Sequence, residues 1–125
     1  CHGVAGPMGG FASIPHGIAC ANMIVPSLRY SLEKFSEDNK KYSSYIKKMA
    51  MVGRDLTGAD MHDVSSARTF IDRLEKIVKT IGVPKLSAFG IDSRAAVKIA
   101  ESSESKNSPV KASAADFAMM IESMI

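Results

Sequence analysis

The chain has 125 residues, enough for one domain with a real core, and a net charge of +3, too small a surplus to argue for nucleic acid. No apolar run is long enough to span a bilayer and no segment reads as a signal peptide. Aliphatic residues, alanine and eight methionines supply most of the apolar content while aromatics make up only 6%, which favours helices over a β-sandwich.

The first seventeen residues hold most of the chemistry. His2-Gly3 and His16-Gly17 bracket a stretch rich in glycine and proline, which reads as a loop. Gly6, Pro7, Gly9 and Gly10 let a short connection turn sharply. Pro15 prepares a helix start, because its missing N–H has no role in a first turn. His16 then falls in that turn, aimed beyond the helix end. Imidazole is the commonest metal ligand, and one nitrogen from each side of a loop makes half of a metal site. The plainer reading of the pair is two polar residues flanking a turn. Cys1 and Cys20 would extend it to four zinc-type ligands, with Cys20 one helical turn after His16. Against that, Cys20 lies in an apolar helix, where a thiol behaves as a small buried hydrophobe. Two cysteines are too few for a disulfide scaffold, so a reducing compartment, the cytoplasm, is expected. The stretch lacks the Gly-Lys-Ser/Thr ending of a P-loop and the Gly-x-Gly-x-x-Gly of a dinucleotide fingerprint. The chain opens at Cys, already inside its most informative motif, and so reads as a piece of something longer.

Downstream the pattern is helical. Ile18, Ala21, Val25, Leu28, Leu32 and Phe35 recur at steps of three and four, and residues 18 to 28 are apolar nearly all round, as in a buried helix. Pro26 should kink that helix or end its first half. Ser36, followed by Glu37, Asp38 and Asn39, predicts a new start, with Tyr42, Tyr45, Ile46, Met49 and Val52 facing inward. Lys40, Lys41, Lys47 and Lys48 read as its solvated face. Residues 53 to 63 read as a loop ending in a cap at Asp60 or Asp63, with His62 at the surface. Val64, Ala67, Ile71, Leu74, Val78 and Ile81 then keep a clean three-four rhythm, Glu75 can pair with Lys79, and Gly82 with Pro84 stops the helix. A short helix capped by Asp92 or Ser93 carries Ala96, Val97, Ile99 and Ala100. A polar loop follows over 101 to 109. Ser113-Ala-Ala-Asp116 is a capping-box variant opening a last helix with Phe117, Met120, Ile121 and Met124 inside. The expectation is a single all-α domain, a helical bundle, over residues 1–125.

These residues also carry a family likeness. His2-Gly3-x-Ala5-x-Pro7-x-Gly9, followed by Pro15-His16-Gly17, resembles the signature of the iron-containing (group III) alcohol dehydrogenases, in which a His-Gly-x-Ala-His-Pro-Leu-Gly stretch precedes Pro-His-Gly at the same offset. Leu56-Thr57-Gly58, Ile81-Gly82-Val83-Pro84, Leu86-Ser87, Phe89-Gly90-Ile91 and Asn107-Ser108-Pro109 continue the likeness in the right order, so it spans essentially the whole chain.

The resemblance implies the C-terminal part of a dehydroquinate synthase-like, iron-containing alcohol dehydrogenase fold. An upstream α/β domain, absent from this chain, binds NAD or NADP and is the helical domain's partner. In the family an Asp and a His from an earlier helix and the two histidines of the signature hold Fe2+. The latter two map onto His2 and His16, and Cys1 and Cys20 drop out as ligands. Many members carry a further His where this chain has Gly6, so the resemblance implies no proton relay through that position here. The spacing from His16 to Pro26 is slightly longer than in most members, so no role is carried onto that stretch. Gly6 and Phe11, between the histidines, are the candidates for lining the cavity beside the nicotinamide.

The activity implied is NAD(P)-linked interconversion of a small alcohol and its aldehyde or ketone, with no nucleic-acid or membrane partner and a homodimer left open. The isolated chain, with two ligands and no dinucleotide fold, is expected to be inactive. One alternative is a relative using Zn2+, of the glycerol dehydrogenase or dehydroquinate synthase type, although those families flank their histidines differently. The other is a non-catalytic helical interaction module in which the histidines are incidental.

Overall fold

The computed structural model describes residues 1–58 and 63–125. They form six α-helices and one 3-10 turn without a strand: α1 His2–Phe11, α2 His16–Glu37, α3 Ser43–Thr57, α4 Val64–Thr80, the turn Leu86–Phe89, α5 Ser93–Glu101 and α6 Ala114–Glu122. The all-α expectation holds. The chain divides into two compact units, one of Cys1–Ser27 with Gly82–Ile125 and the other of Leu28–Ile81.

The first unit corrects the reading of the N-terminus. The glycine- and proline-rich stretch is a ten-residue helix, α1, and only residues 12 to 15 remain as a link to α2. Packing overrides propensity here. Val4, Ala5 and Met8 are essentially inaccessible, an inward face at helical spacing that local composition disguises. Pro7 lies inside the helix and has no N–H for the carbonyl one turn back, that of Gly3. The Glu104 N–H donates to the Gly3 oxygen instead, at 3.2 Å. The approach is close enough that a Cβ on Gly3 would run into the Glu104 carbonyl oxygen. The serine-rich segment expected to be a plain surface loop thus braces α1 at its first turn.

Helix α2 starts from Pro15, whose carbonyl accepts from the Ile18 and Ala19 N–H groups at 2.9 and 3.1 Å. It runs through Pro26 instead of ending there. Ala19 and Met23 are fully buried, and Asn22, 2% exposed, donates from its amide to the Ile18 and Pro84 carbonyls, both at 3.0 Å. Those two bonds answer the desolvation of a buried amide and pin the first turns of α2 to residue 84. The remainder of this unit follows the expected signals. Asp92 caps α5 by accepting from the Ala95 N–H at 2.8 Å. Ser113 and Asp116 close a reciprocal capping box on α6, which buries Phe117, Met120 and Ile121. On α5, Ala96, Ile99 and Ala100 are buried while Val97 is 48% exposed.

In the second unit, the helix start predicted at Ser36 is displaced. Ser36 lies in the last turn of α2 and donates its hydroxyl back to the Leu32 carbonyl at 2.7 Å. Asp38 instead caps the following turn, accepting from the Lys41 N–H. Helix α3 therefore begins later, and it extends through Gly53 to Thr57, where a loop was expected. Gly53 is buried so tightly that a Cβ would meet the Ser66 carbonyl of α4. The glycine marks a helix–helix contact, not a turn. The inward face of α3 is accordingly Ile46, Ala50 and Gly53, while Tyr45 and Val52 are exposed. On α4, Ala67 and Ile71 are buried as the rhythm predicts, but Ile81, at its C-terminal cap, is exposed. Asp63 caps α4 by accepting from the Ser66 N–H, and Gly82, with φ 69°, follows its end. Asp60 and His62 fall outside the described residues. Among those described, no helix is long and apolar enough to cross a membrane.

Candidate metal centre

Both sequence-predicted histidines sit at helix starts, and both starts belong to the first unit. His2 is the first residue of α1 and His16 the first of α2. Their rings lie 5.3 Å apart between centroids and 20° from parallel. His2 Nδ1 and His16 Nε2 stand 3.2 Å apart. Two nitrogens bound at about 2.0–2.1 Å to one tetrahedral ion would be separated by about 3.3 Å, so the pair has the spacing of two ligands to a single cation. Exposure of both side chains leaves the outer side of the pair open to further ligands.

The structure adds one residue that the sequence reading set aside. Cys20, one turn along α2, places its Sγ 3.4 Å from His16 Nε2 and 3.8 Å from His2 Nδ1. It is half-buried, with its sulfur turned towards the imidazoles. The signal was available in the spacing of His16 and Cys20, which puts both on one helical face. The apolar surroundings and the drift of this stretch from the family pattern argued against it. Among the described residues the cluster contains no carboxylate, and neither α1 nor α2 has an acidic residue in its first turn.

The remaining candidates separate. Gly6 lies on α1 one turn after His2 and on the same face, and Gly9 continues that face. No atom stands within 4 Å of where their Cβ atoms would be, so helix backbone lies bare beside the imidazole pair. Phe11, nine residues from His2, is on the opposite side of α1. It is 48% exposed and lines a separate cleft of 290 Å³ with Pro7, Gly10, Lys98, Ile99 and Ser102.

Helices without a strand, together with an imidazole pair at two helix starts, define the class: an all-helical domain with a candidate metal-ligating cluster at one end of two helices. The chain belongs to the iron-containing alcohol dehydrogenases, since the profile described as Fe-containing alcohol dehydrogenase family, C-terminal, matches residues 1–124. Among solved structures it is similar to that of a 1,3-propanediol oxidoreductase, with a TM-score of 0.78 and 20% identity. The likeness covers 99% of this chain but 32% of that one, and at this identity it speaks for the fold alone. No curated protein matches the sequence.

Proposed function

We propose that this chain supplies the helical, metal-holding part of an NAD(P)-linked alcohol dehydrogenase, with His2 and His16 as two of the ligands to a divalent ion, Fe2+ in the first instance. The observation that carries the reading is the 3.2 Å separation of two imidazole nitrogens from different helices, in a chain that belongs to an iron-containing family. When bound, such an ion acts as a Lewis acid on an alcohol or carbonyl oxygen.

The chain's own contribution is positioning. The Asn22 bonds hold the start of α2, and the Gly3–Glu104 contact holds the start of α1. The imidazoles are therefore carried on braced elements, as a preorganised site requires. Gly6, bare and on the His2 face, leaves room for a flat ring or a small substrate to approach the backbone, and we assign it to the nicotinamide side of the site. Phe11, across the helix, belongs to the Lys98 cleft and touches that side only if the ligand extends around α1. The other two ligands come from an earlier helix and the dinucleotide-binding surface from an upstream α/β domain, both outside this chain, and the isolated chain is inactive.

The test is the metal content and alcohol oxidation of the whole protein carrying His2→Ala or His16→Ala. Each variant should lose most of its bound metal, iron or zinc, and its NAD(P)-dependent turnover. Metal content and activity equal to the parent would sink the assignment.

A further inference from the structure

Three donor atoms converge at the N-terminal ends of α1 and α2, and only two of them are imidazole. We propose that the Cys20 thiolate is a third metal ligand, so that the chain presents a face of two nitrogens and one sulfur and favours a borderline-soft ion, Zn2+, over Fe2+. The proposal rests on the metal-holding reading above and goes beyond it in naming a ligand and a preference.

Geometry is the first argument. At about 2.0–2.1 Å for nitrogen and about 2.3 Å for sulfur, a tetrahedral ion separates its N–N ligands by about 3.3 Å and its N–S ligands by about 3.6 Å. The observed separations are 3.2 Å between the nitrogens and 3.4 and 3.8 Å to the sulfur. The triangle already has the dimensions of one face of that tetrahedron.

Charge is the second. His2 and His16 each begin a helix, and the N-terminal end of a helix carries the positive pole of its macrodipole. Neither first turn holds an acidic residue. A dication placed between the rings therefore meets an unfavourable field that nothing in these two first turns offsets. A thiolate adds negative charge from within the cluster. On coordination the S–H bond breaks, the sulfur lone pair binds the ion and the proton leaves to solvent.

Ion choice follows from donor chemistry. Thiolate with imidazole suits zinc, whereas sites selecting harder ions use carboxylate, carbonyl or water. Cys1 does not belong to the cluster and serves as the internal control.

Titration of the full chain with Co2+, under reducing and oxygen-free conditions, separates the possibilities because thiolate-to-cobalt charge transfer absorbs in the near ultraviolet. The parent and Cys1→Ser should both develop that band to one equivalent, and Zn2+ should abolish it while Fe2+ at equal concentration leaves it. Cys20→Ser should lose the band, keep the weaker visible ligand-field absorption from imidazole binding, and bind Co2+ at least about tenfold more weakly, the lower end of what loss of even an outer supporting partner costs. Cys20→Ala repeats the test should serine itself coordinate, with far-ultraviolet circular dichroism confirming the helices. Ligand-field absorption without charge transfer in the parent, or an undiminished band in both Cys20 variants, would overturn the Cys20 ligand and leave the histidine pair standing. Displacement by Fe2+ as readily as by Zn2+ would overturn the preference. Absence of any Co2+ or Zn2+ binding would overturn the histidine pair and the thiolate together.

Discussion

Glycines one turn apart on α1 do opposite work. Gly3 faces the Glu104 backbone with no room for a side chain, whereas Gly6 and Gly9 have no atom within 4 Å of a would-be Cβ. Gly3→Ala must push α1 off its brace and should destabilise the protein by about 1–3 kcal/mol, as overpacking does. Gly9→Ala should stabilise it by about 0.5–1 kcal/mol, because alanine removes backbone freedom from the unfolded chain at an exposed helical position, while Gly6→Ala should gain less, because the Pro7 ring crowds a Cβ on the helical residue before it. Urea midpoints of the three variants decide the point, and equal shifts in the same direction would show that Gly3 is not a packing residue. A Gly6→Ala protein that folds as the parent does yet reduces NAD(P) more slowly would tie the bare face to the proposed cofactor.

At the scale of elements, α2 and α4 meet electrostatically within the second unit. Arg29 donates to Asp72 at 3.0 Å and to Glu75 at 2.7 Å, and Lys79 reaches the other Glu75 oxygen at 3.1 Å. The Lys79 hydrogen bond, aided by Arg29 and opposed by partial desolvation, holds the Glu75 carboxyl below its ordinary value. Such a carboxyl takes up its proton less readily folded than unfolded. Its contribution is complete above the ordinary carboxylate range and is withdrawn as the pH falls through the lowered value. Partial exposure limits it to about 0.2–1 kcal/mol. Glu75→Gln should therefore unfold more easily than the parent at neutral pH, and the gap should close on acidification. Thermal unfolding of both proteins across that range checks the sign, and a gap that widened in acid would contradict it.

For the molecule as a whole, the cluster joins two helices that are far apart in neither sequence nor space, yet it exists only when both are folded. His2, His16 and Cys20 converge because α1 and α2 are each tied to distant residues, Glu104 and Pro84. An ion bound only by the folded form stabilises it by mass action, about 2.7 kcal/mol at a hundredfold excess over its dissociation constant. Chelation should thus lower the thermal midpoint of the metal-loaded protein, and His2→Ala should abolish the difference between the loaded and stripped states. The chain covers 32% of the related structure, and under the proposed function the dinucleotide-binding surface and the remaining ligands would come from residues outside it.

What the sequence by itself determined was local and periodic. The all-α class, the Ser113 capping box, the stop at Gly82 and the narrowing of two further caps to Asp60 or Asp63 and to Asp92 or Ser93 rest on residues a few positions apart, where short-range hydrogen bonds and backbone preferences decide, while the family likeness rests on the two His-Gly pairs. Tertiary structure decided the rest. A glycine- and proline-rich segment became helix α1 because Val4, Ala5 and Met8 are buried and because Glu104 satisfies the carbonyl that Pro7 leaves open. Gly53 became a helix contact instead of a turn because Ser66 presses against it. Cys20, plausible by spacing as either a packed thiol or a ligand, was placed with the imidazoles by the meeting of two helix ends. That juxtaposition depends on where two axes cross in space, a quantity no helical periodicity encodes.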